Sequence, residues 1–440
     1  MANLINAPRG TQDVLPSQSA KWQYIEDVAR KTASLFGFQE IRFPTFEHTE
    51  LFCRGVGDTS DVVQKEMYTF EDKGNRSITL RPEGTASTAR VVLSNGLLSE
   101  ALPLKVYYLT SCFRYEKPQA GRLREFHQFG VECFGSAEPM ADANIIASAH
   151  HLFNTLGIRN LRLEINSIGC PECRKNYHKA LKEYFESKSN ELCETCKQRL
   201  DKNPMRILDC KSPICSEIAK DAPKVLDYLC EECHSHFENV KKYLTAMNIS
   251  FEVNPTIVRG LDYYTKTVFE FVSNEIGAQG TVCGGGRYDG LIETLGGAKT
   301  CGLGYAMGIE RLLLLMSAQN CEFPQNVGCE IYIAPMGERA QCKACELVTT
   351  LRDEGFAAEC DLMGRGIKAQ MKYANKIGAE FVVVIGDTEI DEGKAKLKNM
   401  ASGEETEIPL NDKFISVFYD NKLSNACNNV LSSFENLKNN

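Results

Sequence analysis

Apolar and polar positions alternate in KVYYLTSCFRYEKPQAGRLREFHQFGVECFG, Lys105–Gly135, which predicts two strands and a loop that turns at Pro118 and Gly121. Side chains alternate across a strand, so Phe126, Gln128, Gly130 and Glu132 share one face and His127, Phe129, Val131 and Cys133 share the apolar one. Arg114 and Glu116 share a face at the end of the first strand. The face with Phe126 and Gly130 sets an aromatic ring and a gap among polar groups, which suits a binding floor better than a solvated surface. His127, on the apolar side, reads as a structural histidine. VRGLDYYTKTVFEF, Val258–Phe271, also alternates and predicts a strand that opens on Arg-Gly, Asp262 and two tyrosines. Neighbouring strand residues face opposite ways, so of Tyr263 and Tyr264 one is expected in the core and the other at a site.

Three further stretches carry chemistry. TLRPEGTASTARVV, Thr79–Val92, sets Arg81 and Glu83 on either side of a proline ahead of a helical pattern. AQGTVCGGGRYDGLIETLGG, Ala278–Gly297, has three successive glycines, where backbone can approach a ligand, and then Tyr288. CGLGYAMGIERLLLLM, Cys301–Met316, predicts a strand running into a helix with Arg311 near its first turns. None of these glycine patterns has the dinucleotide or P-loop spacing, so any phosphate must be held mainly by arginines and metal ions.

At larger scale the periodicities predict three blocks. Residues 1–169 and 250–325 mix helices with Phe-, Tyr-, Val- and Thr-rich hairpins, as expected of one discontinuous domain with an antiparallel sheet and helices on one face. Residues 170–249 form an insertion: helical, rich in Lys and Glu, and studded with Cys-x-x-Cys pairs. After a turn at Glu322–Gly328, residues 326–440 read as strand, helix, strand, helix, strand, a small α/β domain with a buried mixed sheet and an Asn-rich polar tail.

Composition removes several classes. The start has no basic flank followed by an apolar run, and no stretch approaches the roughly eighteen apolar residues of a membrane span, so a cytoplasmic chain without membrane contact is expected. The net charge of -8 argues against indiscriminate nucleic-acid binding through a global positive field, and leaves local patches to meet any such partner. Nineteen cysteines, an odd count in a long chain, point to reduced thiols and metal sites rather than a disulfide framework.

PRGTQDVLP near the start, LRPEGTA, FRYEKPQAGRLREFHQFGVE, RGLDYYT, GGGRYDGL and GLGYAMGIERL together resemble the histidyl-tRNA synthetase family, bacterial type, over nearly the whole length. The resemblance implies an α+β fold: an antiparallel-sheet class II synthetase catalytic domain with a helical insertion, and a C-terminal α/β anticodon-binding-like domain. It implies ATP-dependent attachment of L-histidine to tRNA(His) through histidyl-adenylate, with Mg2+ accompanying ATP, in a homodimer. Arg114 and Arg259 match the catalytic arginines on opposite sides of the α-phosphate, and Arg311 matches the one at the γ-phosphate. Glu116, Arg122 and Phe126 fall at the adenine end. Glu83, Thr85 and Gln128 would hold the substrate ammonium, and Glu132, Tyr264 and Tyr288 would read the imidazole, with Gly84 and Tyr263 in the same histidine set. A carboxylate and phenols satisfy both imidazole nitrogens, and analogues that leave such groups unpaired are rejected on the order of ten-thousandfold. A regulatory paralogue would share the fold but need not keep the phosphate arginines. A plain tRNA-binding module has no reason to gather Glu83, Gln128 and Glu132.

The insertion adds one expectation of its own. Cys170, Cys173, Cys193 and Cys196 stand as C-x2-C-x19-C-x2-C, within the spacing of four-cysteine zinc sites, and predict one structural zinc. Cys210, Cys215, Cys230 and Cys233, with His234 and His236 alongside, can complete a second site or substitute in the first. The alternative is a set of reduced, partly buried thiols.

Overall fold

The computed structural model describes residues 4–57, 60–208, 210, 212–276, 280–324 and 328–438. It divides into two compact units, Met1–Pro324 and Gln325–Asn440. The first is built on eight strands: β1 (Gln39–Glu40), β2 (Leu104–Phe113), β3 (Glu125–Phe134), β4 (Arg162–Ser167), β5 (Glu252–Val253), β6 (Thr265–Val272), β7 (Thr281–Arg287) and β8 (Gly302–Gly308). Their order across the sheet is β1-β2-β3-β8-β7-β6-β4-β5. All neighbours are antiparallel except the two short edge strands, which pair parallel.

One face of this sheet is packed as alternation dictates. Phe129, Val131 and Cys133 of β3 join Leu303, Tyr305 and Met307 of β8 and Phe269 and Phe271 of β6 in the main core. Helices Pro16–Leu35, Pro139–Thr155 and Ile309–Ala318 cover them with apolar residues three and four apart, such as Ile25, Val28, Ala29 and Ala33. His127 lies at this face's rim, edge-on to Trp22 at 4.9 Å, with Nδ1 2.9 Å from Glu310. A structural histidine is what its partners make it.

The cysteine-rich block is helical: Pro171–Glu186, Glu194–Lys202, Pro213–Lys220 and Glu231–Ala246. Its first three helices form a separate apolar cluster that reaches Tyr264 and Val268. The last helix behaves differently, because Phe237, Val240 and Leu244 pack into the main core against Pro139–Thr155. The periodicity of that helix gives no hint of which core it joins.

The strand predicted from Val258 begins only at Thr265. Residues 258–264 are loop and turn, so the parity argument for Tyr263 and Tyr264 does not hold. The two rings lie 4.7 Å apart at an interplanar angle of 49°.

In the second unit, β9 (Ile331–Pro335), β10 (Ala358–Cys360), β11 (Phe381–Ile385), β12 (Lys394–Asn399) and β13 (Glu405–Pro409) form a mixed sheet ordered β10-β9-β11-β12-β13. Ile331 and Ile333 face one core and Tyr332 and Ala334 another, which explains the continuous apolar run. The Asn-rich tail is helical, within Phe414–Lys438. The expected turn at Glu322–Gly328 falls in part outside the described residues.

A fully buried ion network ties the first unit together. Arg287 bonds Asp142 through Nε at 3.2 Å and through Nη2, and reaches the Ser136 carbonyl at 2.7 Å. His236 Nε2 lies 3.3 Å from the same Asp142, which Arg287 holds ionised against its burial. Removing one partner strands the other charge in the interior. Arg287→Leu is therefore expected to lower the unfolding free energy of this unit by about 3–5 kcal/mol, read from its denaturant midpoint. A midpoint unchanged from the parent would show that the network does not hold the fold.

Candidate active site

The open face of the sheet carries the site. Glu132, on β3, has no exposed surface, and three hydroxyls meet it: Thr85 Oγ1 at 2.7 Å, Tyr108 OH at 3.3 Å, and Tyr288 OH. Beside it Glu83 is also buried, and its two oxygens accept the backbone N–H groups of Thr85 and Ala86 at 2.7 and 2.8 Å, closing the N-terminus of helix Thr85–Ser94. Each of those oxygens keeps a further acceptor site. Gln128 lines the same face and accepts the Cys112 thiol at 3.3 Å.

Room for these side chains comes from residues that have none. Gly304 pairs with Glu132, and a Cβ there would sit 2.2 Å from the Val131 carbonyl and 2.0 Å from the Glu132 carboxylate. Gly84 and Gly130 grip the Tyr108 ring from two sides, each leaving 2.2 Å between a would-be Cβ and its Cζ. Tyr263 and Tyr264 complete the wall, Tyr263 meeting the Tyr288 ring at 5.5 Å.

Farther along the same face, arginines converge. Arg114 donates through Nε to the Pro82 carbonyl at 2.8 Å, and its guanidinium lies over Phe126 at 5.3 Å. Glu116 and Arg122 form an ion pair in the hairpin loop, whose Arg124 N–H bonds the Gly10 carbonyl at 2.7 Å. That contact gives the N-terminal motif its place. Arg259 pairs with Glu270 of β6, lies 5.6 Å over the Tyr264 ring, and fills the space above Gly284 of β7. Its Nε is buried without a hydrogen-bond partner among the described residues. Arg311 is the third residue of helix Ile309–Ala318, and burial, then the nearby Arg122 charge, pulls it below the ordinary guanidinium value. Arg122 is lowered by burial first and feels Arg114 in turn. Cations close enough to repel one another suit a polyanion.

The expected residues are thus brought to one face: Glu83, Gly84, Thr85, Gln128, Glu132, Tyr263, Tyr264 and Tyr288 at one end, and Arg114, Glu116, Arg122, Phe126, Arg259 and Arg311 along it. Arg81 belongs to the frame instead, with its guanidinium on the Ser111 and Phe43 carbonyls. Sequence reasoning missed Tyr108 and Glu270. Tyr108 was within reach of the parity argument, since it pairs with Gly130. Glu270 gave no comparable signal.

The zinc quartet expected from spacing is not assembled. Cys170 and Cys173 gather with Cys230 and Cys233, while Cys193 and Cys196 gather with Cys210 and Cys215. Linear order misled because helices Pro171–Glu186 and Glu231–Ala246 begin side by side, bringing the ends of the block together. His234 is exposed and His236 serves Asp142, so neither joins a cluster.

Residues 10–312 match the family model described as histidyl-tRNA synthetase, and residues 330–418 match an anticodon binding domain. A curated histidine--tRNA ligase from Clostridium novyi (strain NT) is 58% identical over 408 residues, covering 93% of this chain and 97% of the relative. Another, from Caldanaerobacter subterraneus subsp. tengcongensis, is 55% identical over 93% of this chain and 98% of its own length. The crystal structure of apo S. aureus histidyl-tRNA synthetase superposes with a TM-score of 0.81 at 41% identity, covering 94% of this chain and 100% of that one.

Burial pushes the Glu132 carboxyl up to about 8, against the hydroxyls of Tyr288, Thr85 and Tyr108 that favour the ionised form. Between the ordinary carboxyl range and that value, the folded chain keeps a proton that the unfolded chain has released, so stability falls as pH rises. Glu132→Gln removes this dependence. The stability advantage of the parent over the variant, from denaturant unfolding, is expected to shrink between about pH 5 and pH 8. A difference independent of pH would overturn the assignment.

Proposed function

The chain belongs to the histidyl-tRNA synthetase family, and from that premise we propose how its own residues carry the reaction. It is an ATP-dependent ligase that joins histidine to tRNA through histidyl-adenylate. In the first step a carboxylate oxygen of histidine attacks the α-phosphorus of ATP and pyrophosphate leaves. In the second the terminal ribose hydroxyl of tRNA(His) attacks the histidyl carbonyl and AMP leaves. No bond to the protein forms in either step, so the protein supplies orientation and charge compensation.

The observation that carries this reading is the convergence of Arg114, Arg122, Arg259 and Arg311 beside a closed, hydroxyl-lined carboxyl pocket on one sheet face. Arg114, held by the Pro82 carbonyl, spans the histidine carboxylate and the α-phosphate. Arg259 meets that phosphate from the other side, turning its unpartnered Nε toward it. Arg311 holds the γ-phosphate, and Glu116, Arg122 and Phe126 form the adenine end, with Phe126 against the ring. ATP arrives as its magnesium complex. Glu83, Thr85 and Gln128 take the substrate ammonium. Glu132, Tyr264 and Tyr288 read the imidazole, with Gly84 and Tyr263 shaping the wall. The second unit, matching an anticodon binding domain, takes the anticodon end of the tRNA.

The catalytic domain comprises residues 1–169 and 250–325, with 170–249 as the cysteine-rich insertion and 326–440 as the anticodon-binding part. The chain works in the cytoplasm, a setting that suits nineteen free cysteines, and as a homodimer, which light scattering tests. No described helix is long and apolar enough to cross a membrane.

Arg259→Ala is expected to leave histidine and ATP binding measurable while slowing histidine-dependent ATP–pyrophosphate exchange by about a hundredfold or more, as befits a charge used in the transition state. Near-normal exchange would remove Arg259 from the role. Deleting the chain from Cys329 onward should spare exchange and cripple tRNA charging. Normal charging by the shortened chain would contradict the anticodon assignment.

A further inference from the structure

The two cysteine clusters lie outside everything the ligase reaction uses. In the first, Cys170 is the N-cap residue of helix Pro171–Glu186 and Cys173 lies in its first turn. Cys230 and Cys233 hold the same positions on helix Glu231–Ala246. In the second, Cys193 and Cys196 open helix Glu194–Lys202, Cys215 is in the first turn of Pro213–Lys220, and Cys210 stands just before that helix. Both clusters therefore sit at helix N-termini, where backbone N–H groups are left without intrahelical partners. All eight cysteines are free of disulfides.

The geometry is that of a metal's first coordination sphere. Zinc–sulfur bonds of about 2.3 Å at tetrahedral angles place the sulfurs about 3.8 Å apart. Cys170 and Cys173 sulfurs are 3.5 Å apart, those of Cys193 and Cys210 are 3.8 Å apart, and within each quartet all four lie within 4.8 Å of one another. Backbone N–H groups already bond the sulfurs, Cys230 N to Cys173 Sγ at 3.1 Å and Cys193 N to Cys215 Sγ at 3.3 Å, as donors around a tetrathiolate do. Cys173, Cys233, Cys196 and Cys215 are buried while their partners reach the surface, so each quartet has a dry side and an open side for metal entry. Buried thiols that merely fill space have no reason to converge in fours, twice.

We infer that the chain binds two zinc ions, one in Cys170, Cys173, Cys230 and Cys233 and the other in Cys193, Cys196, Cys210 and Cys215. A tetrahedral four-sulfur site takes zinc or iron, and zinc is assigned because the ligase reaction transfers no electrons. The two ions do different structural work. The first fastens the beginning of the block to its end, next to the turn where Gly169 packs on Cys173 and Leu229. Arg174 and Lys266 line the same cleft as Cys170, Lys266 pairing with Glu232 at 2.7 Å. The second lies within the block, where Cys196 and Cys215 belong to its apolar cluster.

Full-length protein purified without chelator is expected to contain two zinc ions per chain by elemental analysis. Cys233→Ser and Cys196→Ser should each retain one, and the double variant none. Metal-free full-length protein titrated with Co2+ should develop thiolate charge-transfer absorption that saturates at two equivalents, a readout that holds even if a variant folds poorly. One zinc per chain, lost equally in either single variant, would mean a single shared site and would overturn the proposal. So would iron in place of zinc, or a folded chain without metal whose eight thiols all react freely.

Discussion

A carboxyl group with no exposed surface must find its hydrogen bonds inside the protein, and much of the catalytic sheet follows from that demand at Glu132. Three hydroxyls reach it from three separate segments: Thr85 from the start of a helix, Tyr108 from the neighbouring strand and Tyr288 from beyond β7. Each donor needs room, and the room is made by glycine. Gly304 lies opposite Glu132, and Gly84 and Gly130 enclose the Tyr108 ring. Residues far apart in the chain are thus constrained together by the solvation of one side chain.

The other end of this face gathers guanidinium groups, each fixed by a neighbour of its own. Arg114 is anchored by the Pro82 carbonyl, which fixes its direction, and its charge acts on the buried Glu83 carboxyl. Arg259 is held by Glu270, and Thr281 donates to that carboxylate at 2.7 Å, so the acid is oriented before it orients the arginine. The result is a preset field in place of a glycine-rich phosphate loop.

The sequence disclosed the elements governed by simple periods. The β2–β3 hairpin was legible because alternation over ten residues leaves one assignment of faces, and Phe129, Val131 and Cys133 are indeed interior. The strand pattern from Val258 failed because its first seven residues alternate only by coincidence. Their conformation is set by contacts such as the Arg206 guanidinium on the Gly260 carbonyl at 2.9 Å, which no local rule encodes. The cysteines failed for a related reason: spacing reports which thiols are close in the chain, whereas the partners of Cys173 are chosen by where two helices start. The candidate site residues were assigned mainly through resemblance, and the ones overlooked, Tyr108 and Glu270, act by holding Glu132 and Arg259.

The glycines around Glu132 lie directly beneath the protein's own side chains, and this bears on how the protein can change over evolutionary time. A pocket walled by side chains can be retuned one substitution at a time, enlarging here and shrinking there. Over Gly130 and Gly304 there is nothing left to trim, and any addition meets a ring or a carbonyl at about 2.2 Å. New substrate preferences would require the strands themselves to shift in step, a coordinated change that single mutations rarely achieve. The fold therefore offers few short paths away from its present amino acid.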